Sequence, residues 1–252
     1  MIIGMADSSG AYDTWLATPR EQRSQFLIQT RDARFPSGAT RAAQQAQAPG
    51  PTFVNTNTKQ YFRNRPADDA SGTSWFNSQY DHNRWRTLFN NSRIGKWVSM
   101  SKTEIDMLAA EGYIRTNRIP QATALIDLTR TRNDLPALTG VVTAAGQPVP
   151  GGQSCVPRVP DAARGFTATK CGDVFEAMKW EKRMETAFTG WGQWFFDSRG
   201  WNDLAPGTAV QWPVPYQELV ARVLKPYSVG GVDQPGGAPN TNTYGFGTSG
   251  NL

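Results

Sequence analysis

Residues 101–132 read SKTEIDMLAAEGYIRTNRIPQATALIDLTRTR, and this stretch decides the fold class. Ser101 followed by Glu104 has the form of a capping box, in which a hydroxyl and a carboxylate satisfy free N–H groups at a helix start. Ile105, Leu108, Ala109 and Gly112 follow at helical spacing, with Tyr113 and Ile114 extending the apolar face. Asn117 supplies a C-terminal stop, and Pro120 opens a second helix where proline is best tolerated. That helix repeats the period through Ala122, Leu125, Ile126 and Thr129. Two helices joined by a tight turn make an αα-hairpin, the unit of tetratricopeptide-type arrays. The expected class is therefore mainly α, with tetratricopeptide-like helical hairpins and long irregular loops.

Downstream, Pro136, Pro148, Pro150, Gly151, Gly152, Pro157 and Pro160 mark residues 133–170 as loop. Asp173 and Glu176 open another helix, carrying Val174, Ala177, Met178, Glu181, Met184 and Phe188 and ending near Gly190. A Trp/Phe-dense stretch follows, then Trp212, Pro213, Val214 and Pro215, then a helix-like piece from Glu218 to Leu224. Upstream, 20–30 reads as a short helix or strand, and 52–65 as an edge strand or extended segment. Residues 66–100 scatter Trp75, Phe76, Tyr80, Trp85, Phe89 and Trp97 among polar residues with no clear period. The resulting division is a loop-rich aromatic region over 1–100 packed on a helical region over 101–228. A Gly/Asn-rich tail over 229–252 is expected to be extended, ordered only by docking.

The aromatic load of 9 Trp, 12 Phe and 7 Tyr excludes a solvated coil. At 252 residues the chain makes one or two domains, able to bury roughly 75% of its unfolded surface. The net charge of +5 is spread out, without the basic patch or stripe of a nucleic-acid binder. No stretch approaches the roughly 20 apolar residues that span a bilayer. The opening Met1 to Met5 is too short for a signal peptide, so the location is cytoplasmic or its address lies on another piece. Cys155 and Cys171 lack the CxxC spacing of redox or zinc sites. A bridge between them would stabilise the fold by roughly 3 kcal/mol. Two unpaired thiols are the alternative, and the residues alone leave both open.

Catalytic groups are scarce. His82 is the sole histidine and falls in a polar loop, so an ordinary surface or hydrogen-bonded role outweighs a catalytic one. Glu181 and Glu185 share one helix face with Lys182 and Arg183 beside them, which favours an ion-pair cluster over a glycosidase acid/base pair. The Gly-rich pieces fit no phosphate or dinucleotide fingerprint, and no calcium loop is present. Neither an enzyme, a metal site nor a cofactor is expected. The aromatic rings remain: Trp and Tyr faces stack on sugars, and the same faces fill cores.

The segment Lys179 to Gly190 (KWEKRMETAFTG), followed by Trp194, Phe195, Phe196 and Asp197 and then Arg199, Gly200 and Trp201, resembles the C-terminal signature of the SusD/RagB family. That signature is a helix reading E-R-R-x-E-L-A-F-E-G, then an aromatic-aromatic-Asp and an Arg-Trp. Residues 212–219 (WPVPYQEL) are similar to the family's L-P-I-P-x-x-E-L, and Asp233, Gln234, Pro235 and Gly236 resemble its closing Q-N-P-G. Glu104 to Tyr113 and Leu125 to Arg132 also match, and the four matches fall in the family's order. The chain departs from the pattern at Thr189, where the family has Glu, and at Trp191, Gly192 and Gln193, which look like an insertion.

The resemblance implies an extracytoplasmic outer-membrane protein that works with a TonB-dependent β-barrel transporter and captures glycans or other nutrients. It implies structural roles for Glu181, Arg183, Glu185, Asp197, Arg199, Trp201, Pro213 and Pro215. The oxidising compartment that it implies favours a Cys155–Cys171 bridge. Family members are about twice this length, so the chain is expected to correspond to their C-terminal half.

Two readings follow. The first is a non-catalytic nutrient-binding component, with Trp75, Phe76, Tyr80 and Trp85 as the ligand-binding residues. The second is an extrinsic periplasmic subunit of a larger membrane complex that reuses a truncated SusD-like scaffold, whose apolar face a partner covers.

Overall fold

The computed structural model describes residues 2–47, 59–65, 79–86, 88, 92–204, 208 and 214–224. The tail over 229–252, Trp75, Phe76, Phe89, Pro213 and the Asp233 to Gly236 motif lie outside the described residues. The described part is mainly helical. Its helices are α1 (Ala11–Ala17), α2 (Arg41–Gln45), α3 (Lys102–Arg115), α4 (Ile119–Arg130), α5 (Val174–Glu185), α6 (Gln193–Gly200) and α7 (Tyr216–Ala221). Two antiparallel ribbons accompany them: β1 (Phe62–Asn64) with β2 (Tyr80–His82), and β3 (Arg158–Pro160) with β4 (Thr169–Cys171). No helix among the described residues is long and apolar enough to cross a membrane.

Helix α3 starts where the Ser101 hydroxyl accepts the Glu104 N–H at 3.1 Å. The carboxylate half of the expected box is absent: Glu104 Oε1 instead accepts from Gln193 Nε2 at 2.8 Å, across 89 residues of chain. The turn between α3 and α4 places Asn117 at φ 57°, a left-handed conformation that asparagine tolerates, and Pro120 lies in the first turn of α4. The buried stripe of α3 is Glu104, Met107, Ala110 and Ile114, whereas Ile105 and Leu108 face outward. That corrects the apolar face read from the sequence: two stripes compete on this helix, and the buried one begins with a charged residue. On α4 the inward residues are Ile119, Ala122, Thr123, Ile126, Thr129 and Arg130.

Helices α3 and α4 pack on each other and on α5. Alanines 110, 122 and 177 stand where the three helices meet, and their small side chains allow close approach. The loop over 136–142 closes this core from one end. Asp127 holds it by accepting the N–H groups of Leu138 and Thr139, and Leu138 and Val142 are buried beneath. Cys155 and Cys171 form a disulfide with a Cα–Cα distance of 5.8 Å, which ties the loop to β4 just before Asp173 caps α5. Residues 133–170, read as loop, thus contain the β3–β4 ribbon and bury Val149, Val156 and Val159.

A second hydrophobic cluster joins Met5, Tyr12, Leu16, Ile28, Phe35, Tyr61, Phe62 and Tyr80 to Trp180 and Met184 of α5. Its members come from both sides of residue 100, so the two halves of the described chain share one core. Residues 20–22 form a 3-10 turn and 23–30 are irregular, rather than the helix or strand expected there.

Helix α5 is enclosed on every side. Val174, Ala177 and Met178 face the α3–α4 core, while Trp180 and Met184 face the N-terminal cluster. Its charged residues are buried as well, and each is matched. Glu181 meets Arg34, Lys182 meets Asp197 at 2.6 Å, and Lys179 and Arg183 both meet Asp203 at 3.0 Å. Glu185 accepts from the Tyr61 hydroxyl at 2.9 Å and pairs with Arg132 at 3.0 Å and Arg84 at 3.3 Å. A buried carboxylate without such partners would cost several kcal/mol. The helix spacing of Glu181 and Glu185 therefore builds ion pairs, and each carboxylate is engaged by arginine.

Trp201, buried at the end of α6, donates its indole N–H to Glu111 at 3.0 Å and lies against the Arg183 guanidinium at 5.1 Å. Pro215 precedes α7 as its N-cap and is exposed, and Arg199 is exposed on α6.

Candidate aromatic ligand site

After α5 the chain turns through Thr186, Ala187 and Phe188, and Phe188 sits at φ 62°. A bulky residue in the left-handed region costs about 1 kcal/mol or more over glycine. Here the strained residue is also 66% exposed, so the conformation leaves most of its ring open to solvent. Two indoles are fixed beside it. The Trp85 N–H donates to the Ala187 carbonyl at 3.0 Å, and the Trp97 N–H donates to the Thr189 carbonyl at 3.1 Å. Their polar edges are thereby satisfied by the backbone of the α5 exit. The rings lie 5.7 Å apart at a 46° tilt.

Between these rings lies an open cavity of about 400 Å³, walled by His82, Trp85, Arg86, Leu88, Arg93, Trp97 and Phe188. One face of Trp85 is already approached by Arg84 at 4.9 Å, which leaves Trp97, 50% exposed, and Phe188 as the open platforms. Further along the chain Trp191 is 84% exposed, and Trp194 and Phe196 are exposed as well. The Glu104–Gln193 hydrogen bond ties this turn to the α3 end of the helical core. A smaller cleft of about 280 Å³ lies beside α1, but Arg23 stacks over its Trp15 ring at 4.2 Å and fills that face.

Of the four residues singled out as ligand-binding, Trp85 lines the cavity and Tyr80 does not. Tyr80 is 7% exposed. Its hydroxyl donates to Gln44 Oε1 at 2.7 Å and accepts the Ile28 N–H at 2.8 Å. Burial raises its pKa. Tyr80 is a core residue with a satisfied hydroxyl, and the ligand role assigned to it is withdrawn. Trp75 and Phe76 lie outside the described residues. Sequence reasoning missed Trp97 and Phe188 as site residues, because a ring's exposure is set by contacts a hundred residues away.

His82 lies on β2, opposite Phe62, and not in the polar loop expected for it. Its ring packs edge-on against Phe62 at 5.2 Å and tilted against Phe188 at 5.0 Å. Burial, with the Arg84 charge adding to it, lowers its pKa to about 4. The unfolded imidazole takes a proton near pH 6.5 and the folded one resists it. Its contribution to stability is full above about pH 6.5 and is lost as the pH falls through about 4. Urea midpoints measured from pH 7 to 4 should decline more steeply in the native chain than in His82→Gln. Parallel curves would refute this assignment.

Among the described residues no group of three or more His, Cys, Asp or Glu side chains could hold a metal ion. No family model, curated protein or solved structure matches this chain.

Proposed function

We propose that this chain is a non-catalytic, SusD/RagB-like nutrient-binding component that takes a glycan on its aromatic cavity, beside a TonB-dependent outer-membrane transporter. The observation that carries the reading is the cavity itself. Two indoles are held by their N–H edges so that ring faces line an open depression, and a phenyl ring is held outward at a conformational cost. Apolar ring faces beside polar donors are the surface on which a sugar's C–H face stacks while its hydroxyls find partners. The Cys155–Cys171 bridge supports an oxidising, extracytoplasmic setting. The α3–α4 pair is read as a tetratricopeptide-like hairpin, with α5 as the structural signature helix.

Tryptophan fluorescence titration with a panel of neutral oligosaccharides tests this reading. Binding is expected to quench or shift the emission, and Trp97→Ala should weaken it roughly tenfold, about 1.4 kcal/mol. Absence of saturable binding across the panel would argue against a glycan site.

The exposed run of Phe188, Trp191, Trp194 and Phe196 favours a second reading, an extrinsic subunit that docks through these rings on a membrane complex. Purification of the native chain from detergent-solubilised membranes, with mass spectrometry of its companions, separates the two. A TonB-dependent barrel as stoichiometric partner supports nutrient uptake, and a different integral-membrane complex supports the accessory role.

A further inference from the structure

The charge of the cavity wall narrows the ligand. Arg86 and Arg93 both line it, and no carboxylate does so among the described residues. The nearest acidic groups in sequence are engaged elsewhere. Asp81, next to His82 on β2, forms a fork with Arg63, with contacts at 2.7 and 2.8 Å. Glu185, at the end of α5, is taken by Arg132, Arg84 and Tyr61. Arg86 and Arg93 each also interact within the protein, and a guanidinium carries five N–H donors, so donors remain for a further acceptor. Two such groups beside open ring faces suit a sugar that carries a planar carboxylate: the ring stacks and the carboxylate accepts two parallel N–H bonds.

Resting on the glycan reading above, we infer that the cavity selects acidic saccharides bearing uronate carboxylates over neutral ones, with Arg86 and Arg93 as the specificity-determining residues. Trp97 and Phe188 supply affinity common to both classes, and the arginines supply the difference between them.

The test compares oligogalacturonate with the same oligomer fully methyl-esterified, which has the same backbone and no charge. The acid form is expected to bind at least about tenfold more tightly at low ionic strength. Its advantage should shrink between roughly 50 and 500 mM NaCl, because exposed charge pairs are screened. Replacing both arginines (Arg86→Gln with Arg93→Gln) should remove the acid form's advantage over the ester. Equal binding of acid and ester by the native chain overturns this inference while leaving the glycan reading intact. An advantage that survives the double replacement also overturns it. If neither oligomer nor any neutral glycan binds, both are overturned.

Discussion

Arg34→Ala is expected to destabilise the chain by about 3–5 kcal/mol, enough to leave much of it unfolded. Arg34 is fully buried. Its Nε and Nη2 donate to Asp32 at 2.8 and 2.7 Å, and Nη1 and Nη2 donate to Glu181 at 2.9 and 3.0 Å. Burial alone would loosen its proton, but Asp32, Glu181 and Glu185 together hold its pKa well above the usual guanidinium value. Truncation removes the only cation hydrogen-bonded to both Asp32 and Glu181 among the described residues and leaves Arg130 as the remaining buried charge near them, in a site where neither carboxylate is exposed. The Trp180 N–H, which donates to Asp32 at 3.0 Å, shares in the disturbance.

The loss should depend on pH in a definite sense. Burial already pushes the Glu181 carboxyl up, and Arg34 opposes it. Without Arg34 the folded Glu181 carboxyl binds a proton more readily than the unfolded one, so the variant loses stability as pH rises from about 4 to 7. Urea midpoints should therefore differ from the native chain more at pH 8 than at pH 5. Arg34→Lys, which keeps a charge but not the fork, should fall between. A midpoint for Arg34→Ala within about 0.5 kcal/mol of the native chain would show that the buried pairs contribute nothing net.

The second large effect is expected from the disulfide. The bridge spans 16 residues, and cross-links of that size stabilise by about 3 kcal/mol, chiefly by constraining the unfolded chain. Cys155→Ala with Cys171→Ala should lower Tm by roughly 6–12 °C in a chain of this size. The damage should also be local. Cys171 is followed at once by Gly172 and Asp173, and Asp173 accepts the N–H groups of Phe175 and Glu176 to start α5. Hydrogen exchange over residues 174–178 should rise before exchange in α3 or α4. A Tm change below about 2 °C would show that packing of the buried Val149, Val156 and Val159 holds this loop without the bridge.

The helical elements were legible where local signals are strong. Ser101, Asn117, Pro120 and Asp173 each act where their chemistry suggests, because caps and stops depend on neighbours within a few residues. The buried face of α3 was not legible. Ile105 and Leu108 look as apolar as Met107 and Ile114, and Glu104 heads the stripe that faces inward, where Gln193 donates to one of its carboxylate oxygens. Helix α5 carries charge on every side, so its period says nothing of burial. Its partners Asp32, Arg34 and Asp203 stand outside the helices and strands, where no period marks them.

The cavity was half legible. The aromatic residues of 75–97 were marked, but Tyr80 turns into the core and Trp97 out of it, a difference of hydrogen-bond partners: the Tyr80 hydroxyl meets Gln44 and Ile28, and the Trp97 indole meets Thr189. Arg86 and Arg93 belong to the densest basic stretch of the sequence, with Arg84 and Lys96, but charges so sparse read as an ordinary solvated surface.

Charge matching around α5 constrains how such a chain drifts over generations. Five charged residues of the helix are keyed to residues on other segments: Glu181 to Arg34, Lys182 to Asp197, Lys179 and Arg183 to Asp203, and Glu185 to Arg84 and Arg132. A change at one key strands a buried charge, whereas joint replacement by apolar residues of similar volume need cost little. Descendants of this chain are thus expected to vary at these positions in pairs or not at all, and the paired positions would trace the packing of α5 in an alignment before any coordinates were known.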